Sequence, residues 1–376
     1  MKQNWQIKKL KDICEKGSSN VNMKDLTDLQ GEYPIYGASG LIKNVNFYHQ
    51  EKEYIGIIKD GSGIGRTMLL PPKSSVIGTL QYILPKEGNL IQFINYALQS
   101  LDLTKFKQGA AIPHIYFKDY GETEIVVPPL AEQRRIVAIL DAKFVQIDAL
   151  KVAAQKNLDN AEQLWKAQLE KEFGNKEWKM MKFGECGSFK NGMNFNSTDT
   201  GYSIHSLGVG DFKNHFQIND TSTLPIISLK SAPNEDYLLQ NEDIVFVRSN
   251  GNKELVGRCV ITYPNDIKTT YSGFCIRFRN NYKGLNVNFL THYLKTETIR
   301  KKIRGNNGTN ISNLNQKILS NLEIPIPSLA EQTAIVSRLD ALSAKISDLK
   351  AKYRRQIECC DELRQSLLRE AFEGEM

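Results

Sequence analysis

No apolar run in this 376-residue chain approaches the roughly 18 residues that a membrane-spanning helix needs. The opening Met1-Lys2-Gln3-Asn4-Trp5 has no apolar core of the secretory type, so neither a membrane span nor a signal peptide is expected. Cysteine is sparse: there are six, with no Cys-x-x-Cys pair, and Cys359 and Cys360 are simply neighbours. This reads as reduced thiols in a cytoplasmic protein, not as a disulfide or zinc scaffold. The five histidines (His49, His114, His205, His215 and His292) sit on separate segments with no partner at ligand spacing, so no metal site is expected.

Catalytic signatures are missing too. The chain has neither a PD…ExK nuclease pattern nor the Asn/Asp-Pro-Pro-Tyr/Phe motif of amino-methyltransferases. Gly61-Ser62-Gly63-Ile64-Gly65-Arg66-Thr67 lacks the Gly-Lys-Ser/Thr ending of a phosphate-binding loop. A dinucleotide loop would need a helix after it. Here Thr67-Met68-Leu69-Leu70-Pro71-Pro72 follows, a strand and a stop, so the segment reads as a glycine turn between two strands.

What the chain does contain is a repeat. Pro128-Pro129-Leu130-Ala131-Glu132-Gln133 returns 199 residues later as Pro327-Ser328-Leu329-Ala330-Glu331-Gln332. The register then holds without a gap: Leu140-Asp141-Ala142 matches Leu339-Asp340-Ala341, and Ile147, Leu150 and Lys151 match Ile346, Leu349 and Lys350. In both copies apolar residues recur at steps of three and four, which predicts a long amphipathic helix with a narrow seam. The seam is read at Ile136, Leu140, Ile147, Leu150 and Leu158 in the first copy, and at Ile335, Leu339, Ile346, Leu349 and Leu363 in the second. Ser328 and Glu331 form a capping-box pattern, whereas Pro129 leaves the first helix without that cap.

The repeat divides the chain into residues 1–127, 128–173, 174–326 and 327–376. The two helical segments are nearly neutral, with 7 Lys/Arg against 7 Asp/Glu in the first and 8 against 9 in the second. The larger segments are basic, with 15 against 13 and 19 against 13. That surplus permits nucleic-acid binding without demonstrating it.

Both large segments read as β-rich mixed domains. In the first, Glu53–Ile58 and Thr67–Leu70 are strand candidates and Leu90–Leu101 has helical spacing. In the second, Asp243–Val247 is a strand running into Arg248-Ser249-Asn250-Gly251-Asn252, which answers the Lys59–Gly65 loop. Asn288 to Ile303 reads as one helix. The expected architecture is α+β: two β-rich domains joined by two long antiparallel helices about a pseudo-two-fold axis.

Polar side chains beside glycine in corresponding loops suit contacts to base edges and phosphates. Candidates in the first domain are Lys59, Ser62, Arg66, Gln81, Lys107, Gln108 and His114. In the second they are Lys190, Asn191, Asn194, Arg248, Asn250, Lys253, Arg258, Arg304, Asn306, Asn307 and Asn310.

Two variable domains, each followed by Pro-x-Leu-Ala-Glu-Gln and a long helix, resemble the specificity subunit of type I restriction-modification systems. Leu322 to Gln332 closely matches the way that family leaves its second recognition domain, and Ser366 to Glu375 resembles its usual ending. The resemblance covers the whole chain. It implies target-recognition domains at 1–127 and 174–326, each reading one half of a bipartite, asymmetric double-stranded DNA site. It also implies spacer helices at 128–173 and 327–376 that dock two methyltransferase subunits, with restriction (motor-nuclease) subunits joining them. S-adenosylmethionine, ATP and magnesium would then belong to the partners, and this chain would be non-catalytic with no cofactor of its own. The recognition portion of a fused restriction-methylation enzyme and a coiled-coil scaffold without DNA binding are the competing readings.

Overall fold

Tyr54-Ile55-Gly56-Ile57-Ile58 is apolar on both of its faces, and it becomes the centre of a sheet covered on both sides. In the computed structural model, which describes residues 4–174, 177–196, 198–212, 215–304 and 313–373, this strand lies between Leu80–Pro85 and Thr67–Leu70, with Cys14–Ser18 beyond. All three pairings are antiparallel. Ile55 and Ile57 enter one core while Tyr54 and Ile58 enter another, as the two-residue period of a strand requires. A second sheet, Gly40–Val45, Tyr33–Gly37 and Ser75–Val76, covers the far side. The expected glycine turn is present, since Tyr54–Ile58 and Thr67–Leu70 form a hairpin.

The second domain repeats the scheme. Asp243–Val247 is central, flanked by Cys275–Asn280 and Cys259–Thr262, with Gly187–Asn191 and Gln217–Ile218 at the edges. Ile244 and Phe246 face one core, and Val245 and Val247 face the other. The chain is α+β, and it divides into two compact units: residues 1–156 with 353–376, and residues 157–352.

Each unit contains a domain together with parts of both long helices, Leu130–Phe173 and Leu329–Glu373. The two helices start at equivalent positions despite the Pro129/Ser328 difference. In the first, the Pro129 carbonyl accepts from Glu132 N and Gln133 N. In the second, Ser328 Oγ accepts from Glu331 N at 3.2 Å. The Glu331 carboxylate accepts from Trp178 Nε1 at 3.0 Å.

Within each unit the two helical segments run antiparallel. In the first, Lys151 Nζ donates to Asp361 Oδ1 at 2.5 Å and Arg364 Nη1 lies 3.3 Å from Asp148 Oδ1. In the second, Lys350 pairs with Glu162 at 2.8 Å and Arg338 with Glu172 at 3.0 Å. Ile136, Leu140, Ile147, Ile335, Leu339 and Ile346 are buried as expected, and Leu158 is half-buried.

Three seam assignments are corrected. Leu150, Leu349 and Leu363 are 51%, 38% and 48% exposed. After Ile147 and Ile346 the inward position is a step of four away, at Lys151 and Lys350. Both lysines are half-buried, and their ammonium groups reach the opposing acids Asp361 and Glu162. Arg364 takes the place assigned to Leu363, with its guanidinium 3.8 Å from the centre of the Phe144 ring.

The repeated glutamine explains how each domain is fixed to its helix. Gln133 and Gln332 are fully buried. Gln133 Oε1 accepts from Leu90 N at 2.8 Å, and its Nε2 donates to the carbonyls of Pro128 and Gly88. Gln332 does the same with Asn286 N, Pro327 O and Gly284 O. Leu90 and Asn286 are the N-caps of the domain helices Ile91–Ser100 and Val287–Leu294, so one amide ties the first residue of the domain helix to the segment that leads into the long helix. The repeated aspartates add a second tie: Tyr96 donates to Asp141, and His292 Nε2 lies 3.1 Å from Asp340 Oδ1.

The single helix expected over Asn288–Ile303 is in fact two, Val287–Leu294 and Glu297–Arg304. Thr296 breaks it. Its Oγ1 donates to Tyr293 O at 2.8 Å and accepts from Ile299 N at 3.3 Å, capping the second helix.

Candidate nucleic-acid interface

The end of each central strand carries the same backbone device. Gly65 N donates to Ile58 O at 2.9 Å, and Ile58 N donates to Arg66 O. In the other unit Gly257 N donates to Val247 O at 2.8 Å, and Val247 N donates to Arg258 O. The two glycines have φ of +83° and +74°. An added Cβ would come within 2.9 Å of Leu103 Cβ or 2.5 Å of Ile303 Cγ2. Glycine is therefore required twice over, for conformation and for close approach. The superposable hydrogen bonds make Lys59 the counterpart of Arg248, and Arg66 the counterpart of Arg258.

A second loop closes against each strand end. Ile115 N donates to Lys59 O at 2.9 Å, and Leu314 N donates to Arg248 O at 2.8 Å. Short bridges join Asp60 and Gln108 to His114, and Ser249 to Asn313. The structure thus brings Lys59, Ser62, Gln108 and His114 to one end of the first unit, with the exposed Lys107 beside them. Asn306, Asn307 and Asn310 lie outside the described residues.

In the first unit the charges are arranged around Asp60. Lys59 Nζ donates to Asp60 Oδ2 at 2.5 Å, and His114 Nδ1 lies 2.7 Å from Asp60 Oδ1. Partial burial pushes the Asp60 carboxyl up, but the hydrogen bonds and charges of His114 and Lys59 outweigh it, and the net direction is down. Gln108 Nε2 donates to Asp119 at 2.9 Å. Arg66 is exposed on the rim, with Nη2 3.5 Å from Ala38 O. An open cavity of about 440 Å³ adjoins Lys59 and Asp60, walled by Ser19, Asn20, Asn22 and Thr79. Gln81 is a correction. It is 4% exposed and accepts from the Tyr120 hydroxyl at 2.7 Å, so it is part of the core behind this surface. Its position on the central sheet turns its side chain inward.

In the second unit the loop after Val247 is organised by asparagine. Asn250 Oδ1 accepts from Asn252 N, and Asn252 Oδ1 accepts from Glu254 N, leaving Lys253 exposed. Arg248 Nη1 donates to Gly273 O at 3.2 Å, and Gly273 N donates to Met193 O, so the exposed Asn194 borders the same rim. Lys190 and Asn191 lie on the adjoining strand, Gly187–Asn191. Lys190 pairs with Asp236 at 2.8 Å and sits over the Tyr237 ring. Arg304 is 19% exposed and bound to Glu254 and Glu297.

One residue escaped the sequence reading. Phe274 is 60% exposed, and its carbonyl accepts from Arg248 N at 2.8 Å. Its position next to a strand-end arginine would have been the signal, but only pairing geometry shows that the two are neighbours.

Paired basic loops on two β-rich units tethered to long helices form a scaffold suited to reading an extended polyanion at two places. Residues 2–158 and 175–359 match the family described as the Type I restriction modification DNA specificity domain, and the chain belongs to that family. It is 26% identical over 297 residues to the Type I restriction enzyme StySPI specificity subunit of Salmonella potsdam, a match covering 73% of this chain and 62% of that one. It is 23% identical over 396 residues to the MjaVIII specificity subunit of Methanocaldococcus jannaschii, covering 95% of this chain and 90% of that one. A chain solved in work on complex assembly and conformational transition of the type I R-M system shares the fold. It has a TM-score of 0.73 at 18% identity, and the alignment covers 100% of this chain and 99% of that one. Among the described residues no helix is long and apolar enough to cross a membrane, and no group of His, Cys, Asp and Glu could hold a metal ion.

Proposed function

We propose that this chain is the DNA-specificity subunit of a type I restriction-modification enzyme. The first domain reads the 5′ half of a bipartite, asymmetric site and the second domain reads the 3′ half. The observation that carries this reading is the duplicated strand end. The same glycine hinge and the same closing loop present Lys59 and Arg66 in one unit and Arg248 and Arg258 in the other. Family membership supplies the polyanion. The loops differ in sequence, so the half-sites differ.

In this reading the two long helices set the spacing and dock two methyltransferase subunits. Restriction subunits complete the assembly, and S-adenosylmethionine, ATP and magnesium act on the partners. The chain itself binds DNA and does no chemistry. Purified with its methyltransferase, it binds a duplex carrying its site with steep salt dependence. Charge reversal at Lys59 and Arg248 weakens that binding. Unchanged affinity at low salt would favour a scaffold that does not touch DNA.

A further inference from the structure

We propose that Arg300 and Arg304 are positioning residues that hold the second recognition loop, residues 248–256, in its reading conformation, and that neither is itself a DNA contact. The inference rests on the DNA reading above and adds how the second half-site loop is kept rigid.

The two loops differ in length. Six residues separate Ile58 from Gly65, and nine separate Val247 from Gly257. A longer loop has more conformations to lose on binding, so it needs more ties to stay pre-organised. In the first unit the glycine hinge rests on Leu103, an apolar contact. In the second it rests on the helix Glu297–Arg304, through Ile303. Ile299 and Ile303 are buried and root that helix in the core.

From this helix two guanidinium groups converge on one loop residue. Arg300 Nη2 donates to the Glu254 carbonyl at 2.9 Å. Arg304 Nη1 donates to the Glu254 carboxylate, and its Nη2 donates to Glu297 Oε1 at 3.0 Å. Arg304 Nε also points back to Arg300 O at 3.4 Å. Glu254 is thus gripped by backbone and side chain together, one turn before Gly257. Arg300 Nη1 would lie 3.7 Å from a Cβ on Gly257, buried beneath the hinge with no hydrogen-bond acceptor. A guanidinium group placed there faces the loop from its inner side. Both groups of Arg304 that could meet a phosphate are already held by carboxylates.

The test uses the assembled complex with its methyltransferase and duplexes carrying the correct site or one base change in either half. Arg300→Ala, Arg304→Ala and Glu254→Gln are compared with the parent complex across a salt series. A positioning role predicts that all three lower discrimination at the second half-site about tenfold. It also predicts unchanged discrimination at the first half-site and an unchanged slope of log affinity against log salt. Glu254→Gln is decisive in sign. If Arg304 contacted phosphate, removing its competing carboxylate would tighten binding, and Arg304→Ala would reduce the salt slope by about one. Either result overturns the proposal, as does full discrimination in all three variants. Retained reading of the first half-site and an unchanged melting temperature for Glu254→Gln separate these outcomes from misfolding. A parent complex that binds no site specifically would refute the DNA reading itself.

Discussion

Gln332 Oε1 accepts a hydrogen bond from Asn286 N at 2.7 Å, while the same amide donates to Pro327 O and Gly284 O. Gln133 repeats this with Leu90, Pro128 and Gly88. The repeated Pro-x-Leu-Ala-Glu-Gln is therefore a joint as well as a helix start. Replacing either glutamine with leucine leaves one part-buried N–H, one buried carbonyl and one part-buried carbonyl without this partner. The expected loss is about 2–4 kcal/mol, because unsatisfied buried groups cost about 1–3 kcal/mol each and some will find water. Denaturant unfolding checks it. A loss under about 0.5 kcal/mol would mean the joint is not needed for stability.

The seam gives a paired comparison. Leu339 is 1% exposed and Leu349 is 38% exposed. Leu339→Asp buries a charge among Ile335, Phe289 and their neighbours, and should cost upwards of about 3 kcal/mol. Leu349→Asp should cost under about 1 kcal/mol. Equal melting temperatures for the two variants would contradict the register described here.

The legibility of each feature in the sequence depends on the range of the interaction that fixes it. The glycine hairpin, the strand Asp243–Val247 and the first domain helix were legible because local periodicity and turn chemistry fix them. The helices too were legible, but not their seam at Leu150, Leu349 and Leu363. A leucine one position from an inward lysine or arginine satisfies the same three-four spacing, and only the partner segment decides which turns in. Gln81 reads from the sequence as a candidate DNA contact because a polar side chain in a strand carries no mark of its partner, here Tyr120 at the far end of the domain. The function of the repeated glutamine and aspartate was invisible for the same reason: their partners lie some 45 residues earlier in the chain. The break at Thr296 is the exception, since threonine before Glu297 is a helix-start signal present in the sequence.

His292 supplies a pH test. Burial holds its imidazole below the ordinary histidine range, and Asp340 offsets this only in part. Below about pH 6.5 the unfolded chain takes up a proton that the folded chain resists. Stability should therefore fall as pH drops from about 6.5 to the folded value, by at most about 1.4 kcal/mol per pH unit. His292→Phe should flatten that slope in chemical denaturation measured from pH 7 to 5. A slope that persists in the variant would assign the effect to another group.

The glycine hinge can be broken on one side at a time. Gly257→Ala meets Ile303 and a positive φ, and Gly65→Ala meets Leu103 and a positive φ. Each should impose about 1–3 kcal/mol of strain on its own loop. Binding assays should show weakened reading of the second half-site for Gly257→Ala and of the first for Gly65→Ala. Loss of both half-sites from one substitution would contradict the independence of the two loops.

In the proposed function, one chain reads two different half-sites with two equivalent strand ends. Methylome sequencing of cells carrying this chain and its methyltransferase partner tests it most directly, with Arg248→Ala run alongside. The account predicts a bipartite, asymmetric modified motif with a fixed gap, and relaxed base preference in one half only for Arg248→Ala. A single uninterrupted motif, or no motif at all, would contradict it.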